Sequence, residues 1–393
     1  MGEREDVSVG EWAPTPPHPH TPPTALVPAL LAWIARGRRD LPWRRRRDPY
    51  AVWVSEVMLQ QTQVATVIPY FERWLTRFPD VAALAAAPLD DVLKAWEGLG
   101  YYARGRNLHR ASQEIVARHG GRIPADRAAL LALPGIGRYT AGAILSMAFG
   151  QREPALDGNV KRVLCRLFDV AGDPREAVTE NRLWEWATAL VRAAPDGAAG
   201  DLNEALMELG ATVCTPGAPE CAACPLADLC QAHAHCVEAE RPVRVAKTRT
   251  PHYAVTAAII ADEAGRYLIV QRPPEGLLGG LWGFPGSAAG ECDECETRRI
   301  SENPSGLLLA ACLAAALRDG LGIEVAVGAA LPSIRHAYTH FRITLHPFRC
   351  QLLGGEPNPL RYHALRWATA PELTAYALPN TDREIANTLA SLS

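Results

Sequence analysis

Four groups of residues in this 393-residue chain are of types and spacings that do chemistry. The first is a carboxylate, Asp157, in Leu156-Asp157-Gly158-Asn159, just before the apolar pattern Val160, Val163, Leu164, Leu167. A carboxylate at a helix N-terminus is held ionised by backbone donors and by the dipole. The second is Glu56, which stands among apolar neighbours in residues 52–70, VWVSEVMLQQTQVATVIPY. Val52, Val57, Leu59, Val64 and Val67 recur there at roughly helical spacing, with Pro49 or Ser55 as the start. Gln60 and Gln63 follow Glu56 at i+4 and i+7, on the same helical face. A carboxyl group in that setting has its charged form disfavoured and keeps a proton near neutral pH, as a general acid must. A glutamate reaching solvent from an amphipathic helix would fit this run, taken alone, better.

The third group is Cys214, Cys221, Cys224 and Cys230, spaced C-x6-C-x2-C-x5-C. Four thiolates so close together favour zinc or an iron–sulfur cluster over a disulfide framework. Structural zinc sites usually use two paired-cysteine knuckles, and this loop has one pair. A further pair, Cys292 and Cys295, lies in the acidic stretch Glu-Cys-Asp-Glu-Cys. With no second pair beside it, it reads as an exposed acidic loop rather than a metal or redox site.

The fourth group would touch nucleic acid. Leu133-Pro134-Gly135-Ile136-Gly137 lies between two helical patterns, the first capped by Asp126 and the second opened by Arg138. Gly135 and Gly137 permit a tight turn whose N–H groups, with the next helix N-terminus, can meet a phosphate. Trp43-Arg44-Arg45-Arg46-Arg47 offers phosphate contacts and a stacking surface. Residues 99–107, LGYYARGRN, mix glycines, paired tyrosines and arginines, and a side chain on such a loop can wedge into a base stack.

Those residues need two domains, which the length allows. The net charge of −3 excludes a polybasic protein, so any nucleic-acid footprint is local. No apolar run reaches 18 residues, so no membrane span is expected. The first 24 residues, rich in Pro and His, cannot bury a core and are expected to be a disordered tail without a secretion signal. Residues 25–236 read as helical throughout, with Leu26, Leu30, Trp33 and Ile34 on one face. Residues 237–250 are charged and proline-bounded, a linker. From residue 251 to 393 the period changes to α+β. Residues 254–260 and 267–270 form strands around a turn at 262–265, then come Leu281-Trp282-Gly283-Phe284-Pro285-Gly286, a helix near 307–317 and an alternating strand at 341–345.

The helical hairpin followed by Asp157 resembles the helix-hairpin-helix DNA glycosylases. The cysteine spacing resembles the [4Fe–4S] loop of their endonuclease III and MutY branches. The LWGFPG stretch and its strands resemble the MutT (Nudix) fold. Where that fold places its R-E-U-x-E-E-x-G-U box, this chain has Ala315-Ala316-Leu317-Arg318-Asp319-Gly320-Leu321-Gly322-Ile323. The carboxylates that hold a divalent metal on a pyrophosphate are mostly gone, so the module is expected to bind and not to hydrolyse.

The combination, from about residue 25 to the C-terminus, resembles the MutY-type adenine glycosylases. That resemblance implies a multidomain fold, an all-α glycosylase domain with one [4Fe–4S] cluster followed by an α+β Nudix-like domain. It implies hydrolysis of the N-glycosidic bond of adenine mispaired with 8-oxoguanine or guanine in double-stranded DNA. It also implies a monomer without membrane attachment, cytoplasmic and nucleoid-associated. Glu56 would be the general acid and Asp157 the cation stabiliser, supported by Asn159. Tyr139 stands where lyase relatives carry a nucleophilic lysine, so the Schiff-base step lacks its amine. Trp43, Arg44 and Glu204 would line the adenine pocket, Gln61 and Tyr101 would fill or wedge the duplex, and Tyr338, Thr339 and His340 would read 8-oxoguanine. A bifunctional lyase would need the lysine and a Nudix hydrolase the missing box. A non-catalytic hairpin protein would not need Glu56 and Asp157 together.

Overall fold

The computed structural model describes residues 23–243, 250–287 and 305–392. The Cys292/Cys295 stretch, most of the N-terminal tail and the middle of the linker lie outside the described residues. The chain forms two compact units, Met1–Asp40 with Arg138–Val245, and Leu41–Gly137 with Ala246–Ser393.

In the first unit the helix Pro23–Gly37 buries Leu26, Leu30 and Ile34 against the helices Gly158–Leu167, Ala177–Ala193 and Ala199–Thr212. Trp33, on the same helix, is only partly buried. The glutamate-rich face of Ala199–Thr212 is neutralised locally. Arg39 grips Glu208 through Nε (2.6 Å) and Nη2 (2.8 Å), and Arg38 reaches Asp201 and Glu204, each at 3.3 Å. The start of the expected linker packs on this unit. Glu238–Glu240 forms a single 3-10 turn, and Arg241 pairs with Asp169 at 2.7 Å.

The second unit opens with the helices Pro49–Leu59, Val64–Arg77, Val81–Ala86, Leu89–Trp96 and Ala103–His119. Asp48 caps the first by accepting from the Tyr50 and Ala51 amides, with Pro49 at the first helical position. The core is aromatic, with Trp74 edge-on to Trp96 at 5.4 Å and to Phe78 at 4.9 Å. The pattern at 52–70 is two helices, not one. The first ends at Leu59 and Gln61 takes φ +57°, so Gln60 and Gln63 do not share a helical face with Glu56.

Among the described residues the same unit carries seven strands, β1 His252–Ile260, β2 Tyr267–Gln271, β3 Trp282–Gly283, β4 Glu324–Ala330, β5 Ile334–Ala337, β6 Arg342–Gly354 and β7 Ala364–Ala368. One sheet runs β1-β6-β4 with β5 also on β6, the other β3-β2-β7. The two strands expected around the 262–265 turn diverge into different sheets. β1 instead pairs in parallel with β6, from His252 opposite Arg342 to Ile260 opposite Cys350. The helix Gly306–Leu321 covers one apolar layer with Leu309, Leu313 and Leu317, and Asn380–Leu392 covers another with Ile385 and Leu389. These strands and helices dock on the helical part of their unit through polar groups. Asp90 accepts from Gln271 Nε2 (2.8 Å) and from the Trp282 indole (3.4 Å), Glu97 from Arg383 (2.8 Å), and the Gly279 carbonyl from Arg106 (2.7 Å).

Candidate active site and metal centre

Glu56 sits in a helix where every residue from Tyr50 to Met58 is buried. Its own exposure is 5 %. The reading of a glutamate reaching solvent is therefore overturned. A buried carboxyl is expensive unless it is partnered or used.

Asp157 is the N-cap of Gly158–Leu167. Its Oδ1 accepts from the Val160 amide at 2.7 Å and its Oδ2 from Asn159 Nδ2 at 2.8 Å. Burial nevertheless dominates and raises its carboxyl above the usual range, with those donors and Arg162 pulling the other way. The expectation that the cap alone keeps it ionised is corrected in that direction. The approach to Asp157 is fixed by Asn203, 1 % exposed, which accepts from the Ala155 amide (3.1 Å) and donates to Ser146 Oγ and the Glu153 carbonyl, both at 2.9 Å.

Asn159 also accepts from Arg162 Nη2 at 2.8 Å. The same guanidinium donates to the Gly210 carbonyl (2.8 Å) and, through Nε, to the Cys214 carbonyl (2.7 Å). A continuous hydrogen-bonded path thus joins Asp157 to the first cysteine of the loop. Gly210 makes the path possible, since a Cβ there would stand 2.6 Å from Asn159 Cβ.

Cys214, Cys221, Cys224 and Cys230 line a partly open cavity with Arg166, His233 and Glu238. All four are free thiols. Burial pushes the Cys224 thiol up to about 11 and raises Cys221 and Cys230, and neighbouring thiols add to each rise. Four convergent thiols, three of which are raised in this way, fit a cationic iron–sulfur core, which would supply the missing charge. Arg166, 2 % exposed, donates to Cys214 Sγ at 3.3 Å and to the Thr215 carbonyl at 2.7 Å. Cys221, His233 and Glu238 also bring ligand atoms within 4.8 Å of one another, a set that zinc could use.

Other expected site residues are distributed as follows. Tyr139 is half-buried against the first unit's core, with its hydroxyl 3.9 Å from Met207 Sδ. Glu204 is 8 % exposed and paired with Arg38. In the second unit Trp43 is 7 % exposed and edge-on to Phe71 at 5.5 Å, so it is a core ring and not an open stacking face. Arg44 is half-buried, and Arg45, Arg46 and Arg47 are exposed. Gly135 and Gly137 are exposed, Gly135 with φ +76° and placed so that a Cβ would stand 2.7 Å from Asn107 Cβ. Gln61 is exposed, as is Tyr101 at 43 %, and Tyr101 takes φ +47°. The Tyr101 hydroxyl contacts Thr339 Oγ1.

Tyr338, Thr339 and His340 form the β5–β6 turn. Tyr338 packs inward, 4.6 Å from His336 and 4.7 Å from Phe341, and only Thr339 and His340 are exposed. On the helix Gly306–Leu321 the sole carboxylate is Asp319, exposed and 3.5 Å from Arg361.

The sequence reading gave no role to Arg104, Arg162 or Arg166. Arg162 had a signal in its i+3 spacing from Asn159, whereas the partners of Arg104 and Arg166 are mainly backbone carbonyls that sequence spacing does not reveal.

Comparison with known proteins agrees with this architecture. Residues 54–189 match the HhH-GPD superfamily of base excision DNA repair proteins, and residues 256–388 match the NUDIX domain. The chain is 36 % identical to the adenine DNA glycosylase of Rattus norvegicus over 92 % of its own length and 77 % of the relative's. It is 36 % identical to that of Homo sapiens, over 92 % and 73 %. It is 38 % identical to that of Buchnera aphidicola from Acyrthosiphon pisum, over 61 % and 68 %. A thermostable thymine-DNA glycosylase structure aligns at 29 % identity and a TM-score of 0.49, over 55 % of this chain and 97 % of that one. With its helical hairpin, capped Asp157 and appended Nudix domain, the chain belongs to the adenine DNA glycosylases, enzymes of base excision repair.

Proposed function

We propose that the chain hydrolyses the N-glycosidic bond of adenine lying opposite 8-oxoguanine, or more slowly guanine, in duplex DNA. The observation that carries the proposal is Glu56, a carboxyl group in a helix whose residues from Tyr50 to Met58 are all buried. The adenine leaves the stack first, because its bond is unreachable in a duplex. Glu56 protonates adenine N7 so that the base departs neutral, and later activates the water. Positive charge grows at C1′, and Asp157, oriented by Asn159 and the Val160 amide, stabilises it as paired carboxylates do in glycoside hydrolysis. Tyr139 offers no amine, so the reaction stops at base removal. Trp43, Arg44 and Glu204 are adenine-binding residues, Gln61 and Tyr101 enter the duplex, and the turn at Gly135 and Gly137 receives a phosphate.

The four cysteines hold a [4Fe–4S] cluster, whose part is to crosslink the loop and fix its surface. The exposed Thr339 and His340 read the opposite base. The Nudix-like domain, whose helix Gly306–Leu321 keeps one carboxylate, binds without hydrolysing. The working layout is a tail at 1–24, a glycosylase domain at 25–236, a linker at 237–250 and a lesion-reading domain at 251–393. Among the described residues no helix is long and apolar enough to cross a membrane. The enzyme acts as a monomer on nucleoid DNA in the cytoplasm.

The test is base release from duplexes carrying A:8-oxoG, A:G, A:C or thymine glycol, with and without alkali. Release of adenine from the first two, with strand breaks only after alkali, is expected. Strand scission without alkali, or release of thymine glycol, would refute the reading. Purified protein should be brown with about four irons per chain. A colourless protein with stoichiometric zinc would assign the loop to zinc.

A further inference from the structure

The end of the Glu56 helix and the Tyr101 loop share one side chain. Arg104 Nη1 donates to the carbonyls of Val57 (2.8 Å), Met58 (3.0 Å) and Gln60 (2.5 Å). Its Nη2 donates to the carbonyls of Leu99 (3.1 Å) and Gly100 (3.2 Å) and to Thr62 Oγ1 (3.2 Å). The last carbonyls of a helix have no partner within it, and here one guanidinium serves two of them together with the next loop. The guanidinium also lies over the rings of Trp96 (5.3 Å) and Tyr101 (5.5 Å).

Both segments tied by Arg104 carry a non-glycine residue in the left-handed region, Gln61 at φ +57° and Tyr101 at φ +47°. Such residues persist only where the surroundings over-determine them, and they cluster at functional sites. Both are exposed, so packing of their side chains does not hold them. The hydrogen bonds of Arg104 to the neighbouring carbonyls tie the two segments to each other, and Trp96 Nε1 adds a bond to the Gly100 carbonyl (3.0 Å).

We propose that Arg104 is a positioning residue for base extrusion, fixing Gln61 and Tyr101 relative to each other and to the helix that carries Glu56. This rests on the reading of Gln61 and Tyr101 as the groups that enter the duplex. Lysine would keep the charge but not the fork, because an ammonium has no two planar donor pairs to span both segments. The contact of Tyr101 with Thr339 extends the same linkage to the β5–β6 turn.

The test uses the full chain as Arg104→Lys and Arg104→Met, with 2-aminopurine in place of the adenine opposite 8-oxoguanine. Fluorescence reports extrusion, quenched-flow single turnover on adenine reports excision, and titration reports binding. Both variants should bind within a few-fold of wild type. Extrusion and excision should fall together, on the order of 10²-fold, as expected for misplacement at about 1 Å. Wild-type extrusion in Arg104→Lys would overturn the proposal, since charge alone would then suffice. So would normal extrusion with lost excision in either variant, which would place the effect on the chemistry.

Thr62→Ala, which leaves the helix carbonyls paired, guards against misfolding. It should slow extrusion a few-fold at an unchanged melting temperature, and unchanged extrusion counts against the proposal. Gln61→Ala separates the underlying reading. If it extrudes normally while Arg104→Met does not, the role of Gln61 falls and positioning through Tyr101 stands.

Discussion

Glu56 and Asp157 are both carboxylates in a DNA glycosylase, yet the chain holds them by different physics. Glu56 is surrounded by buried residues on both sides along its helix, and its backbone is fixed at a distance by Asp48 at one end and Arg104 at the other. Asp157 is fixed through its own oxygens, by one backbone amide and one side-chain amide at a helix N-terminus. The first arrangement holds the carboxyl through the burial of its helix and the ties at the two helix ends. The second has both oxygens accept hydrogen bonds that orient the group. A proton donor and a cation stabiliser need that division.

The largest effect expected from breaking this contrast is Asp157→Asn. Excision under single-turnover conditions should fall on the order of 10³-fold, as when one preorganised electrostatic group is removed from an active site. The same variant should be more thermostable at pH 7. Burial raises the folded carboxyl above its unfolded value, so between those two values the folded state binds more protons and stability falls as pH rises. Asparagine removes that penalty. The difference in melting temperature should fade as pH falls through the unfolded value of about 3.9 and vanish well below it, where Asp157 is protonated in both states. A variant less stable than wild type at pH 7 would mean that donors outweigh burial.

A smaller effect is expected at the β5–β6 turn, proposed above to read the lesion. Thr339→Ala with His340→Ala should lower the ratio of kcat/KM for A:8-oxoG over A:G by about 10- to 100-fold, as for one or two lost base contacts. An unchanged ratio would make the turn merely structural. Smaller again is Gly210→Ala, whose methyl would crowd Asn159. A cost of about 1–3 kcal/mol in urea unfolding is expected, with excision reduced because Asn159 orients Asp157. Full activity would show that the Asn159 contact is dispensable.

How much of this was legible in the sequence divides along the same line. Asp157 declared itself, because a helix cap is a local signal and Val160 is three residues away. The burial that shifts it is tertiary and was not visible. Glu56 was poorly legible from its neighbours, since a continuous apolar run reads equally as one long amphipathic helix. The break at Gln61 comes from backbone conformation that no glycine or proline marks. The cysteine loop was plain from spacing alone, but not its arginines, whose main acceptors are carbonyls. In the second domain β1 and β2 were found as strands and their separation into two sheets was not. The partner of β1 lies about ninety residues downstream, in β6. Such pairing is set by packing and not by a local turn.

The most direct test of the division of labour uses a leaving group that needs no proton. Adenine methylated at N7 is already cationic and departs neutral, so acid catalysis is superfluous for it. Duplexes carrying A:8-oxoG and 7-methyladenine:8-oxoG would be compared in single turnover for wild type, Glu56→Gln and Asp157→Asn, with spontaneous loss subtracted. On adenine, Glu56→Gln should lose roughly 10²–10⁴-fold while still binding. On 7-methyladenine it should recover at least about tenfold of that loss, and Asp157→Asn should recover none. Equal failure of Glu56→Gln on both bases, or near-normal turnover of adenine by that variant, would contradict the assignment of Glu56 as the acid.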